Sequence, residues 1–229
     1  MEAYSTLGKL LYFDILTNMI LLTSSVATVA DHIKKKFLID KDIKTILFID
    51  TAAEPEIGKV DGDDDWLQAD LKALRDQGYQ VDRYTVTNKT REEIETEVDE
   101  YDVIYMCGGN TIYLLQQLQK TDSFGLIIEK VKAGKPYIGT SAGSIIAGPK
   151  IPVYLEDSEG LKLDDYTGFQ FINTIIIPHW GSEHFKEMYL EERLKLAYQA
   201  SEPPFLLLSD YHYISVSEDG TIKVINTKE

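Results

Sequence analysis

Short apolar or alternating runs recur along this chain, and segments with a helical pattern separate most of them. The runs that predict strands are residues 19–22, 45–50, 80–86, 103–106, 137–139, 174–177, 205–209 and 213–216. Strands joined by helices through short connections are typical of a mostly parallel sheet that is covered on both faces. The pattern therefore predicts an α/β fold in which helices flank both faces of a mostly parallel sheet.

The helical patterns place apolar residues on one face of each segment. They cover residues 26–37, 66–77, 92–101, 111–118, 125–133 and 186–200, and a further helix is predicted to start at Ile145. In the segment 66–77, Leu67, Leu71 and Leu74 share a face, and Gly78 marks the expected end of the helix.

The length of 229 residues fits a single α/β domain. We assign residues 19–229 to that domain, because the first predicted strand begins at Met19. Residues 1–18 show no clear period. We interpret them as an N-terminal extension that could derive from a vector or from an upstream start codon.

The chain is acidic, with a formal net charge of -15 and a pI of about 4.7. This charge repels nucleic-acid phosphates and anionic membrane surfaces, so we expect neither as a partner. The apolar stretch 10–22 is interrupted by Asp14 and Asn18, and it is too short to span a bilayer. It also lacks the basic start and the small-residue cleavage site of a signal peptide. We therefore predict a cytoplasmic protein.

Metal-binding patterns are weak in this sequence. Its single cysteine, Cys107, excludes an intrachain disulfide and a cysteine metal cluster. His179 and His184 miss the i, i+4 spacing of a helical zinc pair. We predict no metal site and no cofactor. Cys107 precedes two glycines and is expected to face the core rather than to act as a nucleophile.

The segment Gly139-Thr140-Ser141-Ala142-Gly143 matches G-x-S-x-G after a predicted strand. We predict that Ser141 is a nucleophile and that the amide of Ala142 contributes to an oxyanion hole. Small neighbours are needed because a nucleophile of this kind occupies a strained turn. The alternative is a glycine-rich turn in which the serine only caps a helix.

A second glycine-rich turn, Cys107-Gly108-Gly109-Asn110-Thr111, follows the strand at 103–106 and opens a helix. Glycines at such a turn let backbone amides approach a ligand closely. We assign Gly109 as the second oxyanion donor and Asn110 as a substrate-binding residue. The alternative is a tight turn in which Asn110 caps the helix.

His179 stands at the exit of the apolar run 174–177, where it is placed to reach Ser141 as a general base. A buried structural histidine is the alternative interpretation. A third group must orient the imidazole. Glu156 and Asp157 lie between the serine and the histidine in the sequence, and either could serve.

The segments CGGNT, YIGTSAGS and IIPHW, in this order, resemble the peptidase E (aspartyl dipeptidase) and cyanophycinase family of serine peptidases. The resemblance extends from about Met19 to the C-terminus and includes the segment FIDTAAEP. It implies a fold similar to class I glutamine amidotransferases, with serine at the elbow where those enzymes use cysteine.

The resemblance also implies roles for individual residues. Ser141 would be the nucleophile and His179 the base, with oxyanion amides from Gly109 and Ala142. The family's acid lies beyond the serine, which implies Glu156, or Asp157 if one residue is inserted.

One segment departs from the family pattern. Aspartyl dipeptidases carry a segment resembling GETREQR after the histidine, and its arginine receives the acidic side chain of the substrate. Residues 186–193 here read KEMYLEER, so Arg193 matches the second arginine and the first falls near Tyr189 or Leu190. Neither a tyrosine nor a leucine side chain can bind a carboxylate through paired hydrogen bonds as an arginine does. We therefore expect a weak preference for N-terminal aspartate.

Together these residues predict a serine peptidase that hydrolyses dipeptides or short peptides through a Ser-His-Glu/Asp triad, with N-terminal aspartate as one option. Its partner would be a small peptide substrate. The alternatives are a hydrolase of another small amide or ester, and a non-catalytic relative that binds a small molecule.

Overall fold

The computed structural model of this protein describes residues 19–38, 42–58, 64–152, 161–199, 203–217 and 220–228. The N-terminal extension and both acids suggested by the sequence, Glu156 and Asp157, lie outside these ranges. No helix in the described ranges combines the length and the apolar character that a membrane crossing requires.

Strands and helices alternate through the described ranges. The strands are β1 (Ile20–Thr23), β2 (Thr45–Ile49), β3 (Gln80–Tyr84), β4 (Val103–Met106), β5 (Tyr137–Thr140), β6 (Ile175–Ile177), β7 (Phe205–Leu207), β8 (His212–Val216) and β9 (Ile222–Asn226). The α-helices are α1 (Val26–Ile33), α2 (Asp65–Asp76), α3 (Arg91–Glu100), α4 (Thr111–Lys120), α5 (Phe124–Lys132), α6 (Ala142–Ile145), α7 (Glu183–Glu187) and α8 (Leu194–Gln199). A π-helical stretch follows α1 (Lys34–Leu38) and another follows α7 (Met188–Arg193), and Thr51–Ala53 form a 3-10 helix.

The main sheet has seven strands in the order β3-β2-β4-β5-β1-β8-β9. The strands from β3 to β1 in this order pair in parallel, whereas β8 and β9 pair antiparallel at one edge. This topology confirms the predicted α/β fold with a mostly parallel sheet. β9 was not predicted, because its short run mixes polar and apolar residues at the sheet edge.

β6 and β7 lie outside the main sheet and pair in parallel with each other. The sequence pattern identifies both segments as strands, but it does not show which strand each one pairs with. Ile177 is aligned with Leu207 in this pair. The residues that follow the two strands therefore emerge at the same end.

The centre of the main sheet is buried on both faces, as expected for parallel strands covered by helices. Residues 46–49 of β2 and all of β4 have no exposed surface. Phe48 of β2 stacks on Tyr105 of β4 with ring centroids 4.4 Å apart. The predicted apolar face of α2, Leu67, Leu71 and Leu74, is buried against this core.

Two helix predictions needed correction. The prediction that a helix starts at Ile145 is wrong, because α6 begins at Ala142 and ends at Ile145. Gly148 and Pro149 lie three and four residues beyond Ile145, and a proline disfavours helical backbone in the residue before it. The helix predicted at 186–200 begins earlier, at Glu183, and a π-helical stretch divides it.

Candidate active site

Three neighbouring parallel strands, β4, β5 and β1, end at the same edge of the main sheet. Gly108 and Gly109 follow β4, Ser141 follows β5 and Ser24 follows β1. Ligands of open α/β sheets bind outside the carboxyl ends of the strands. Strand order alone therefore brings these residues to the edge where a site is expected.

Ser141 occupies a sharp turn between β5 and α6. Its backbone has φ 48° and ψ -107°, a conformation that is costly for a residue with a side chain. Its amide donates to the carbonyl of Thr23 at 3.0 Å, and its carbonyl accepts from the amide of Ile145 at 2.9 Å. The sheet and the helix thus hold the strained backbone that a nucleophile elbow requires.

The glycines of G-x-S-x-G are required by packing. A side-chain carbon on Gly139 would lie 2.4 Å from the carbonyl oxygen of Gly143, and one on Gly143 would lie 2.1 Å from that of Met106. Both distances are far inside van der Waals contact. The turn can approach β4 and its own helix this closely only because both positions are glycine.

His179 follows β6 and Pro178, and its imidazole reaches the serine. Nε2 of His179 lies 3.0 Å from Oγ of Ser141. Phe185 stacks on the imidazole, with centroids 4.6 Å apart and ring planes inclined by 12°. This is the contact expected between a nucleophile and its general base.

The other imidazole nitrogen of His179 faces Asp210, which the sequence reasoning did not select. Nδ1 of His179 lies 2.9 Å from Oδ1 of Asp210. The hydrogen bond from His179 holds the pKa of Asp210 below its usual value, although partial burial acts in the opposite direction. The carboxylate is therefore ionised at neutral pH and can accept the Nδ1–H of the imidazole.

Glu156 and Asp157, the acids suggested by the sequence, belong to a segment outside the described residues. Asp210 did carry a sequence signal, because it directly follows the predicted strand 205–209. The same rule that selected His179 at a strand exit would have selected Asp210.

Pairing of β6 with β7 explains why Asp210 meets His179. The amide of Leu208 donates to the carbonyl of Ile177 at 2.8 Å, and the amide of Trp180 donates to the carbonyl of Leu208 at 3.1 Å. The parallel ladder therefore continues past both strand ends and keeps the two segments side by side. His179 and Asp210 share one end of this small sheet.

The glycine-rich turn after β4 packs directly against Ser141. A side-chain carbon on Gly108 would lie 3.2 Å from Cβ of Ser141. Gly109 has φ +123°, and a side-chain carbon there would lie 2.2 Å from the carbonyl oxygen of Ala52. Only glycine allows this conformation and this close approach.

Asn110 shows the helix-capping role that the sequence left as an alternative. Its side chain accepts a hydrogen bond from the amide of Tyr113 at 2.9 Å, and its own amide donates to the carbonyl of Ala52 at 2.8 Å. Asn110 also lines the cavity above Ser141. The cap fixes the start of α4 and with it the position of Gly109.

A cavity of about 860 Å³ opens over Ser141 and His179, a volume within the range of small-molecule sites. The large apolar side chains in its wall are those of Trp66, Ile145, Phe185, Met188 and Tyr189. Its charged lining residues are Glu56, Asp70 and Arg193. The cavity therefore combines a mostly apolar wall with a few charged groups.

Among the described residues that line this cavity, Arg193 is the one with a lysine or arginine side chain. Its guanidinium lies 5.6 Å from the ring centroid of Tyr189. The Tyr189 hydroxyl donates to the carbonyl of Pro178 at 2.7 Å, so this ring also supports the backbone beside His179. Leu190, the other residue near the expected first arginine, is 52% exposed.

Asp70 lies on α2, lines the same cavity and is only 3% exposed. Its carboxylate accepts hydrogen bonds from the amide of Ala27 at 3.0 Å and from the hydroxyl of Tyr105 at 2.8 Å. Burial outweighs these bonds and raises the pKa of Asp70 from 3.8 to about 6. Holding this carboxylate ionised at neutral pH therefore costs folding free energy.

Replacing Asp70 with asparagine is expected to stabilise the protein at pH 8 but not at pH 4. A raised pKa means that the folded state binds the proton more tightly, so stability falls as pH rises from about 4 to 6. A pKa of about 6 in place of 3.8 corresponds to about 3 kcal/mol above pH 7. Thermal unfolding of Asp70→Asn and native protein at both pH values measures the effect. Equal differences in Tm at pH 4 and pH 8 would contradict it.

Cys107 is completely buried, and burial raises the pKa of its thiol well above the ordinary value. The thiol therefore stays protonated and faces the core, as predicted. Within the described residues, no group of three or more His, Cys, Asp or Glu side chains is arranged to hold a metal ion.

Comparison with known proteins connects this geometry to a family. The model of peptidase family S51 matches residues 19–224. An uncharacterized peptidase of Listeria monocytogenes is 35% identical over 149 residues, which cover 63% of this chain and 70% of that protein. Peptidase E of Haemophilus influenzae is 31% identical over 174 residues, 73% of each chain.

Solved structures agree in fold. A peptidase E-like protein from Listeria monocytogenes superposes with a TM-score of 0.77 at 26% identity, over 92% of this chain and 98% of that one. A peptidase from an acI-B1 Actinobacterium superposes with a TM-score of 0.69 at 19% identity, over 94% of this chain and 90% of that one, and this likeness concerns the fold alone.

Proposed function

Because this chain belongs to peptidase family S51, we propose that it is a serine peptidase that hydrolyses dipeptides or short peptides. One observation carries the proposal: contacts of 3.0 Å and 2.9 Å connect Ser141 through His179 to Asp210. A nucleophile, a base and an orienting acid in this order are the parts needed for acyl transfer.

In the proposed reaction, Oγ of Ser141 attacks the peptide carbonyl while Nε2 of His179 takes the hydroxyl proton. Asp210 keeps Nδ1 of the imidazole protonated and stabilises the imidazolium that forms. His179 then gives the proton to the leaving amine. A water molecule, activated by His179, hydrolyses the acyl-enzyme in the second half of the reaction.

The amides of Gly109 and Ala142 are the proposed donors to the oxyanion. Neither amide donates a backbone hydrogen bond to another described residue, which leaves both available. Gly109 follows β4 and Ala142 begins α6, so both lie beside Ser141 at the sheet edge. Donors fixed in this way stabilise developing charge without reorganisation during the reaction.

Arg193 supports a substrate with a free carboxylate. The cavity wall is mostly apolar, and within the described residues this guanidinium is its one Lys or Arg side chain. A guanidinium recognises a carboxylate through paired hydrogen bonds. We assign the C-terminal carboxylate of a short peptide to Arg193, which leaves an aspartate side chain without a cation of its own.

The enzyme is therefore expected to discriminate weakly between Asp-Leu and Leu-Leu, with a ratio of kcat/KM below about tenfold. A charge-assisted carboxylate contact is worth about 1.5–3 kcal/mol, roughly tenfold to a hundredfold in selectivity. Arg193 offers one such contact, and it is assigned to the C-terminal carboxylate that both dipeptides share. Kinetics with the two dipeptides measure this ratio. A preference for Asp-Leu above about a hundredfold would contradict the assignment of Arg193.

Two matched variants test which carboxylate Arg193 binds. Arg193→Met is expected to lower kcat/KM for both dipeptides by about tenfold or more and to spare Leu-Leu amide, which has no carboxylate. Lys186→Met is the control, because Lys186 pairs with Glu183 at 3.1 Å and does not line the cavity. Loss confined to Asp-Leu would instead assign Arg193 to the acidic side chain.

A further inference from the structure

We propose that Ser24 is a positioning residue of the active site, whose one hydroxyl aligns both His179 and Asp210 with the nucleophile. The inference rests on the proposed role of Ser141, His179 and Asp210. Nothing in the sequence pattern suggested it, because Ser24 stands there only as one of three hydroxyl residues, 23–25, between a predicted strand and a predicted helix.

The hydroxyl of Ser24 makes two short bonds of opposite polarity, and its oxygen also lies 3.2 Å from Nδ1 of His179. Its oxygen accepts from the backbone amide of His179 at 2.6 Å, and its hydrogen is donated to Oδ1 of Asp210 at 2.6 Å. The same Oδ1 is the atom that lies 2.9 Å from Nδ1 of His179. Since a hydroxyl has one donor hydrogen and accepts through its lone pairs, both capacities are used on the acid–base pair.

The amide of His179 needs this partner. His179 has φ 56°, a left-handed conformation that only strong surrounding contacts maintain in a residue with a side chain. The ladder with β7 uses the amides of Leu208 and Trp180, and the amide of His179 lies between these bonds. Without Ser24, a partly buried N–H at the most strained point of the segment would lose its acceptor.

Ser24 also connects the two sheets. His179 and Asp210 follow the strands of the small sheet, whereas Ser141 follows β5 of the main sheet. Thr23, at the end of β1, accepts the amide of Ser141 at 3.0 Å. The next residue, Ser24, binds His179 and Asp210. Adjacent residues of one chain segment thus set the nucleophile and the acid–base pair at a fixed separation.

A purely structural role as a helix cap does not fit the contacts. Ser25, not Ser24, occupies the N-cap position of α1, and it makes no side-chain capping hydrogen bond. Ser24 has no exposed surface, and its hydroxyl is directed to the active site rather than to the helix. Its two short bonds both end on groups of the proposed catalytic pair.

Ser24→Ala is expected to lower kcat at least about tenfold while KM changes by less than about threefold, since small displacements of catalytic groups cost rate more than binding. Ser123→Ala is the matched control. Ser123 is equally buried, and its hydroxyl bonds to Thr121 and to the carbonyl of Leu118, away from the site. The control should keep kcat within about twofold of the native value even if it unfolds at a lower temperature.

A proton resonance tests the alignment without any substrate. The Nδ1–H of His179, bonded to a carboxylate, should give a far-downfield proton signal, which His179→Gln assigns by its loss. In Ser24→Ala this signal should move upfield or vanish through faster exchange, and in Ser123→Ala it should stay in place. An unmoved signal or an unchanged kcat in folded Ser24→Ala overturns the inference. If native protein shows the signal but cleaves no peptide, the proposed function fails while the effect of Ser24 on the signal still decides this inference.

Discussion

Replacing Ser141 with alanine is expected to lower kcat/KM for the best dipeptide by at least about 10⁴, because loss of a triad nucleophile commonly removes that much rate. The fold should be unaffected. Alanine keeps the Cβ against which Gly108 packs, and the same left-handed backbone is already held by Thr23 and Ile145. Thermal unfolding of the variant should therefore match that of the native protein.

Labelling with a fluorophosphonate tests the same assignment independently of the natural substrate. Native protein should gain one phosphonyl group, and Ser141→Ala should gain none. Ser144→Ala is the necessary control, because Ser144 lies three residues away and its hydroxyl is bonded to the carbonyls of Thr23 and Gly139. The assignment would be contradicted if Ser144→Ala lost the label while Ser141→Ala kept it. Activity of Ser141→Ala within about tenfold of native would contradict it as well.

Those parts of the site that depend on local sequence were accessible without a structure. G-x-S-x-G demands glycine at both ends because Gly139 and Gly143 each touch backbone within 2.4 Å of where a side chain would begin. This packing constraint involves five consecutive residues, so it can be recognised from the local sequence. The histidine at the exit of β6 was found in the same way, from a strand run and the residue that follows it.

The strand-exit rule marks Asp210 as a candidate, but its contact with His179 could not be found in this way, because that contact is set by pairing between distant segments. Asp210 reaches the imidazole only because β7 pairs in parallel with β6. Periodicity identifies both strands but carries no information about which strand lies beside which. The position of Ser24 is non-local for the same reason, since it depends on β1 lying next to β5 in the main sheet.

Helix boundaries failed where tertiary contacts override local preference. Residues from Ile145 onward have a sequence compatible with a helix, but α6 ends there after a single turn. A side-chain carbon on Gly148 would lie 3.1 Å from the carbonyl oxygen of Thr174. The chain turns at this point, so that Lys150 and Ile151 pair with the segment at Tyr166 and Thr167, and Pro149 prevents the helix from continuing.

Asp210→Asn is expected to lower kcat by about 10⁴ at neutral pH, whereas Glu156→Gln and Asp157→Asn should each stay within about threefold of native. The carboxylate of Asp210 lies 2.9 Å from Nδ1 of His179. An amide in its place can donate to that nitrogen, which favours the imidazole tautomer with the proton on Nε2. That tautomer cannot accept the proton of Ser141.

The three variants together decide whether the acid that orients His179 is Asp210 or one of Glu156 and Asp157. Asp210 has a pKa below its usual value because His179 donates to it, so it remains a carboxylate throughout the pH range in which a neutral imidazole can act as base. Kinetics of the three single variants, with Tm as a check on folding, measure the comparison. If Glu156→Gln or Asp157→Asn loses as much rate as Asp210→Asn is expected to lose, the orienting acid comes from the segment between Ser141 and His179. The contact at Nδ1 would then belong to a structural pair, and Ser24 would act on that pair rather than on catalysis.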